Sequence, residues 1–170
     1  MFSDPEKNLK TLPLRENDIV ADLGAGTGFY SVAAGKMVPN GKVYAIEVQK
    51  DFLTTIKEKA REAHLSNVEC FWGNIEKIGG TKIKEGVVDV AIVSNVFFQV
   101  EDRDKFLEET KRILKKRGKV LLIDWSDSSF QHLKPISKTN AREMFEKKGF
   151  VFEREIDAGT HHYGMILTKS

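Results

Sequence analysis

The apolar residues of the chain follow two periodicities. Short runs that are apolar throughout, or at every second position, predict strands. These strands span residues 19–23, 43–47, 68–72, 88–94, 119–125, 150–156 and 162–169. Between them, apolar residues recur every three or four positions, which is typical of one face of an α-helix. Helices are predicted from Pro5 to about Thr11 and over residues 29–37, 51–63, 102–116 and 139–148, with a short helical turn at 75–78.

Strands and helices alternate five times along the chain, and a hairpin over residues 150–169 closes it. This order predicts an α/β fold with a doubly wound sheet that carries helices on both faces. The hairpin makes the last strand antiparallel to its neighbour. A length of 170 residues suits one domain, with residues 1–18 as a short helical lead-in and 126–135 as a loop.

Two polar features mark helix ends in this prediction. Asp51 is expected to cap the helix that begins there. The Lys-Lys-Arg run at 115–117 is expected to close the helix that starts at Asp102, where its positive charge would oppose the helix dipole.

The first strand runs directly into a glycine-rich turn, Asp22-Leu23-Gly24-Ala25-Gly26-Thr27-Gly28. Glycine lets a backbone bend sharply and lets a ligand lie against it. The following helix presents free N–H groups and a partial positive charge to that ligand. Glu47 ends the second strand 19 positions after Gly28, where nucleotide-binding α/β folds place a carboxylate on ribose hydroxyls. A dinucleotide fingerprint needs glycine at position 29, and this chain has Phe29 there.

At these residues the sequence resembles the class I S-adenosylmethionine-dependent methyltransferases, from about Asp4 to Ser170. The resemblance implies a Rossmann-like, seven-stranded sheet of strand order 3-2-1-4-5-7-6 with strand 7 antiparallel. It also implies S-adenosylmethionine as the cofactor, a small-molecule methyl acceptor and S-adenosylhomocysteine as a product.

The resemblance also implies roles for individual residues. The glycine turn would wrap the amino-acid and ribose part of the cofactor, and Glu47 would bind the ribose hydroxyls. Val48 and Ile75 would cover the two faces of the adenine, and Asn74 would accept from its amino group. The alternative for Asn74 is a plain turn residue. The implied cofactor-binding residues are Asp22, Gly24, Ala25, Gly26, Thr27, Gly28, Glu47, Val48, Asn74, Ile75 and Asn95.

The stretch after the fourth strand, beginning Asn95-Val96-Phe97-Phe98-Gln99, resembles the N-x-x-H-H segment of ubiquinone/menaquinone-type methyltransferases. Phe98 and Gln99 replace the two histidines, so this segment supplies no histidine base. It also differs from the D/N-P-P-Y/F tetrad that holds a flipped nucleic-acid base. Phe97 and Phe98 either face the cleft or pack in the core.

The carboxyl ends of strands four and five are expected to form the wall that faces the acceptor. The predicted wall residues are Phe29, Tyr30, Phe97 and Trp125. Asp124 is the candidate catalytic base, because among the residues at these strand ends it alone can take a proton. The alternative is that Asp124 caps the loop starting at Ser126 and that Trp125 packs under the last helix.

Composition limits the partners and the location. Lys and Arg number 27 against 25 Asp and Glu, a net charge of +2, so no nucleic-acid or membrane partner is expected. The single cysteine, Cys70, excludes an internal disulfide and a multi-cysteine metal site. His161 and His162 are adjacent on a strand and point to opposite faces, so a solvated strand end is expected rather than a metal site. The amino terminus lacks the pattern of a signal peptide, which favours the cytoplasm.

Two other functions remain open at this point. The chain could be a cofactor-binding subunit that is active only with a partner, or it could work as a homodimer. A nicotinamide-dependent oxidoreductase would fit Glu47 but not Phe29 or the terminal hairpin, and the sequence has no Tyr-x-x-x-Lys pair.

Overall fold

The structure is a computed structural model that describes residues 3–126 and 134–170. Its strands are β1 (Ile19–Leu23), β2 (Lys42–Glu47), β3 (Val68–Trp72), β4 (Val88–Ser94), β5 (Leu114–Trp125), β6 (Phe150–Ile156) and β7 (His162–Lys169). Its helices are α1 (Pro5–Leu9), α2 (Phe29–Met37), α3 (Lys50–Glu62), α4 (Arg103–Ile113) and α5 (Lys138–Lys147), with a 3₁₀ turn at Phe97–Gln99.

The strands form one sheet in the order β3-β2-β1-β4-β5-β7-β6. The pairs β1–β2, β1–β4, β2–β3 and β4–β5 are parallel, and β7 runs antiparallel to β5 and β6. This confirms the predicted fold, strand order and antiparallel strand. Because parallel strands end at the same edge, the carboxyl ends of β1, β2 and β4 meet at one side of the sheet, where such folds bind ligands.

Apolar side chains cover both faces of the sheet. On one face Phe97, Phe106 and Phe145 pack against the strands. On the other, Leu9 of α1 and Ala34 of α2 do so. Coverage of both faces explains why β4 is apolar almost throughout, since neither of its faces meets water.

The predicted end of the fourth helix was wrong. α4 stops at Ile113, and residues 115–117 lie at the start of β5. The β4–β5 ladder pairs Val88 with Leu114 and resumes only at Val90 with Lys119, so the basic run occupies an irregularity in the ladder. Lys115 pairs there with Asp89 at 2.8 Å. This run therefore does not oppose a helix dipole.

Smaller differences concern other element ends. Gln49 rather than Asp51 precedes the first turn of α3, and residues 75–78 form turns instead of a helix. His162 is buried, with its ring centroid 4.2 Å from that of Trp125, so a solvated strand end was wrong for this residue. Most of the predicted 126–135 loop, residues 127–133, lies outside the described residues. Within the described ranges, no helix has the length and apolar character to cross a bilayer.

Candidate functional site

A cavity of about 760 Å³ opens where β1, β2 and β4 end. Its volume falls within the range of small-molecule binding sites, about 300–1,000 Å³. Ten of the predicted site residues line it: Gly24, Ala25, Gly26, Phe29, Tyr30, Glu47, Val48, Asn74, Ile75 and Asn95. The structure therefore brings most of the predicted cofactor set together at one opening.

The glycine turn forms the floor of this cavity. The N–H groups of Gly24 and Ala25 both donate to the Ile46 carbonyl at 3.0 Å, which ties the turn to β2. Gly24 has φ +73°, and a Cβ there would lie 2.6 Å from Cγ2 of Val96, so a side chain would clash with the opposite wall. Gly28 has φ +84° and precedes α2 without a side-chain cap, which leaves N–H groups of the first helical turn facing the turn.

Glu47 fixes the turn as well as facing the cavity. Its Oε2 accepts from the Gly26 N–H at 2.9 Å, and its Oε1 accepts from the N–H groups of Val48 at 2.9 Å and Gln49 at 3.0 Å. The residue is only 7% exposed. Because a carboxylate has about four acceptor positions, one remains for a hydroxyl of a bound ligand.

Asp22 lies beneath the turn rather than on the cavity surface. Its carboxylate is buried and accepts from the Ser31 hydroxyl at 2.6 Å. Burial raises the pKa of Asp22 to about 6; the Ser31 hydrogen bond opposes this, and the negative charge of Glu47 adds to it. Thr27 and Gly28 also belong to the turn, and neither is among the described residues that line the cavity. These three residues shape the turn that the others present to a ligand.

The far end of the cavity is formed by the residues after β3. The Oδ1 of Asn74 accepts from the Glu76 N–H at 2.8 Å, which is the turn role weighed as the alternative for Asn74. One acceptor position of this oxygen and the two amide donors remain available to a ligand. Ile75 is buried beside Asn74, and Val48 is 52% exposed on the opposite side. The pair could therefore enclose a flat ring.

A second wall of the cavity follows β4 and consists of Ser94, Asn95, Val96, Gln99 and Val100. Asn95 has φ +55°, a conformation that few non-glycine residues adopt and that is often found at functional sites. Its N–H donates to the Ile123 carbonyl at 2.9 Å, and its buried Oδ1 has no hydrogen-bond partner. A buried acceptor beside a cavity can be satisfied by a ligand or water.

Three charged side chains hold this wall in place. Arg103 donates to the carbonyls of Phe97 at 3.3 Å and Phe98 at 2.9 Å. Oε1 of Glu76 accepts from the N–H groups of Glu101 at 2.7 Å and Asp102 at 2.6 Å. The third is Asp124, whose carboxylate accepts from the Phe98 N–H. The wall is therefore tied to β5, α4 and the turn after β3.

Asp124 is 1% exposed and is not among the described residues that line the cavity. Its carboxylate accepts from the N–H groups of Phe98 and Trp125, each at 2.9 Å. Burial raises the pKa of Asp124 to about 6, while these N–H groups and the charge of Arg103 oppose the rise. Tyr163 pairs with Asp124 across β5 and β7, and burial together with this carboxylate raises the pKa of its hydroxyl.

Two predicted wall residues lie elsewhere. Phe97 is fully buried, and its ring centroid lies 5.7 Å from that of Phe106 and 5.2 Å from that of Phe145. It therefore packs in the core, which was the alternative to facing the cleft. Trp125 contacts His162 on the face of the sheet that carries α1 and α2, whereas α5 packs on the other face, so it does not lie under the last helix. Phe29 and Tyr30 do line the cavity.

Sequence reasoning missed the contribution of the amino-terminal segment. Ser3 and Pro5 line the cavity. The Tyr30 hydroxyl accepts from Nδ2 of Asn8 at 2.8 Å and lies 3.2 Å from the Ser3 hydroxyl. These contacts join residues more than twenty positions apart, and the only local signal was a helix start at Pro5. In the described part of the chain, no group of three or more His, Cys, Asp or Glu residues could hold a metal ion.

The chain is similar to several proteins of known family. A methyltransferase domain model matches residues 14–165. A SAM-dependent methyltransferase of known structure from Aquifex aeolicus is 31% identical, with a TM-score of 0.87 over 99% of this chain and 91% of that one. A demethylmenaquinone methyltransferase from Alkalihalophilus pseudofirmus is 26% identical over 88% of this chain and 62% of its own length. A ubiquinone/menaquinone biosynthesis C-methyltransferase from Vibrio vulnificus is 25% identical over 85% of this chain. The chain spans 62% and 55% of the lengths of these two relatives.

Proposed function

Because the chain belongs to the methyltransferase domain family, we propose that it transfers a methyl group from S-adenosylmethionine to a small-molecule acceptor. The observation that carries this proposal is the cavity that joins the glycine turn, Glu47 and the wall after β4. The close approach of Gly24 to Val96 supports it, because only a glycine lets the wall after β4 pack directly against the turn and so close this side of the cavity.

The residues present fit this cofactor. Glu47 keeps one acceptor position for a ribose hydroxyl, and Asn74 with Val48 and Ile75 offers a polar edge between two apolar faces. The cavity also carries two carboxylates, Glu47 and Glu76, which favour a ligand with positive charge. When bound, S-adenosylmethionine supplies a methyl group on a positively charged sulfur, which is neutral after the methyl leaves.

Orientation is the main contribution expected of the protein, because no acid is needed to expel a neutral leaving group. Holding two reactants in line can contribute roughly 7–11 kcal/mol. The wall of Ser94–Val100 suits this task because Arg103 and Asp124 bond its backbone at Phe98, and Glu76 bonds the N–H group of Glu101 directly after it. The burial and bonding of Asp124 support a role in positioning this wall over the role of a base.

The names of the two curated relatives suggest an acceptor of the quinone type. The acceptor side of the cavity is lined by Pro5, Phe29, Tyr30, Val96 and Val100, which suit a flat apolar ring. A cytoplasmic location stays a prediction from the sequence.

Calorimetric titration with S-adenosylmethionine and S-adenosylhomocysteine tests the cofactor. Saturable binding of both is expected, and no binding of either at millimolar concentration would contradict the proposal. A titration with NADH tests the oxidoreductase alternative. That alternative requires the protein to bind NADH and neither S-adenosylmethionine nor S-adenosylhomocysteine. Labelled S-adenosylmethionine with a panel of hydroquinones then tests the acceptor.

Asp124→Asn separates the positioning role from that of a base once an acceptor is found. The asparagine keeps one acceptor oxygen for one of the two N–H groups and places an amide against the other. Lower thermal stability with turnover within about threefold of wild type supports positioning. A loss of more than about 100-fold in kcat, with cofactor affinity retained, would identify a base.

A further inference from the structure

Exposed apolar side chains are unevenly distributed over the described surface. Five large ones are more than half exposed: Phe29 at 66%, Val48 at 52%, Trp72 at 53%, Ile78 at 52% and Val151 at 54%. Phe29 and Val48 line the cavity, Trp72 is the last residue of β3, and Ile78 lies in the turns that follow β3. Val151 lies on β6, at the opposite edge of the sheet from β3.

Three of these residues either line the cavity or bond a residue that does. Phe29 and Val48 both line it. Nε1 of Trp72 donates to the Val48 carbonyl at 2.9 Å, so the indole continues the apolar surface outward from the opening.

Lysines flank the two aromatic rings. The Nζ atoms of Lys50 and Lys82 lie 4.5 and 5.6 Å from the ring centroid of Trp72, and Nζ of Lys59 lies 3.8 Å from that of Phe29. None of these three lysines belongs to an ion pair among the described residues. We call the surface made by Phe29, Val48, Trp72, Lys50, Lys59 and Lys82 the rim.

We propose that the rim docks on the surface of an anionic lipid bilayer, so that the cavity opens toward the membrane. Tryptophan and phenylalanine bury their rings at the boundary between head groups and acyl chains, and lysine extends its ammonium group toward lipid phosphates. The rim combines both properties around one opening. The net charge of +2 predicts no attraction of the whole chain to a membrane, but a local cluster of lysines acts within about 10 Å of a surface.

A lipid surface fits the rim better than a nucleic acid does. The exposed valine and the ring of Phe29 offer no donors to phosphate or base edges, whereas both gain by leaving water at a bilayer. Docking is independent of the methyl-transfer proposal, because an apolar acceptor could also reach the cavity from solution.

Co-sedimentation with vesicles tests the proposal. The whole protein is mixed with vesicles of phosphatidylcholine alone or of equal parts phosphatidylcholine and phosphatidylglycerol, at low and high salt. Binding to the anionic vesicles that weakens at 0.5 M salt is expected. The double variant Lys50→Gln/Lys82→Gln should bind them on the order of 25-fold more weakly, because each lysine near such a surface contributes about fivefold.

Matched controls make the test specific. Lys116→Gln/Lys147→Gln removes the same charge at exposed positions away from the rim and should change binding by less than about twofold. Trp72→Ala should weaken binding more than Val151→Ala does. Equal effects of the two lysine pairs, or binding to an oligonucleotide but not to vesicles, would overturn the proposal. Circular dichroism and thermal unfolding of each variant check folding, so the docking result stands whether or not the protein binds S-adenosylhomocysteine.

Discussion

The carboxylate of Glu47 and the backbone N–H of Gly26 are joined by a hydrogen bond of 2.9 Å. The residue proposed to hold the ribose therefore also fixes the glycine turn on which the rest of the cofactor would lie. Loss of this carboxylate should affect both the affinity of the site and the order of the turn.

Glu47→Gln tests this double role. The amide keeps one acceptor oxygen and cannot satisfy the three N–H groups that now bond the carboxylate, so S-adenosylhomocysteine should bind about 1–3 kcal/mol more weakly by calorimetry. Glu69→Gln removes a carboxylate of β3 that pairs with Lys42 outside the cavity. This variant should bind S-adenosylhomocysteine as tightly as the wild type does. Equal affinity in the two variants would exclude Glu47 from the site.

Asp22 should make the stability of the protein depend on pH. Its pKa is raised to about 6 in the folded protein by burial, so folding favours the protonated form. The stabilisation is complete below the pKa of the unfolded chain, near 3.8, and is lost as pH rises through 6. The ionised group thus costs up to about 3 kcal/mol at neutral pH.

Asp22→Asn should relieve this cost, since the amide oxygen can still accept from Ser31. Denaturant unfolding should show the variant to be about 1–3 kcal/mol more stable than wild type at pH 7.5, with the difference disappearing near pH 4. Asp51→Asn, at an exposed position, provides the control. A gain of the same size at both pH values would show that the cause is not ionisation.

Glu109 is a buried carboxylate that ties α4 to the segment after β3. Burial would raise its pKa, but hydrogen bonds from Arg112, Thr81 and the Gly79 N–H lower it to about 2. Its stabilisation should therefore be present above pH 4.5 and be lost as the pH falls toward 2.

Glu109→Ala leaves Arg112 and Thr81 without this partner. The free energy of unfolding at pH 7 should fall by about 3–5 kcal/mol, as for other broken buried ion pairs. Glu108→Ala, on the exposed side of the same helix, should change it by less than about 1 kcal/mol. Similar losses in both variants would contradict the assignment.

Tyr30→Phe should loosen the amino-terminal segment over the cavity. The change removes the hydroxyl that bonds Asn8 and lies beside Ser3, at a cost of about 1 kcal/mol. Amide hydrogen exchange over residues 3–12 should become faster, while Tyr44→Phe, whose ring stacks on Phe71, leaves it unchanged. Unaltered exchange in Tyr30→Phe would show that Leu9 and Leu12 hold the segment without the hydroxyl.

Local signals predicted the parts of the site that lie on continuous elements. The glycine turn and Glu47 each sit at the end of an apolar strand, so periodicity and residue type were enough to place them. The prediction that residues 115–117 end a helix was wrong, because a polar segment at the end of a helix and one at the start of an irregular strand have similar sequences. The place of these residues depends on pairing between Val88 and Leu114, which no local pattern reports.

The sequence alone does not predict the direction of a side chain or the contacts between residues that are distant in the chain. Phe97 and Phe98 are adjacent aromatics after β4. Packing with Phe106 and Phe145 buries Phe97 fully, whereas Phe98 is only partly buried against the same cluster. The link of Ser3 to Tyr30 joins separate elements in the same way. The pair of Glu109 and Arg112 had a legible signal, since residues three apart on a helix face each other, but its burial was not visible.

The sheet order has a mechanical consequence. The pairing of β1 with β4 is the seam that joins the strands before residue 73 to those after residue 87. The glycine turn, Glu47 and Asn74 belong to the first half, and the wall of Ser94–Val100 belongs to the second. A molecule that touches both walls is a cross-link over this seam, so the force needed to peel β1 from β4 should rise with occupancy of the cavity.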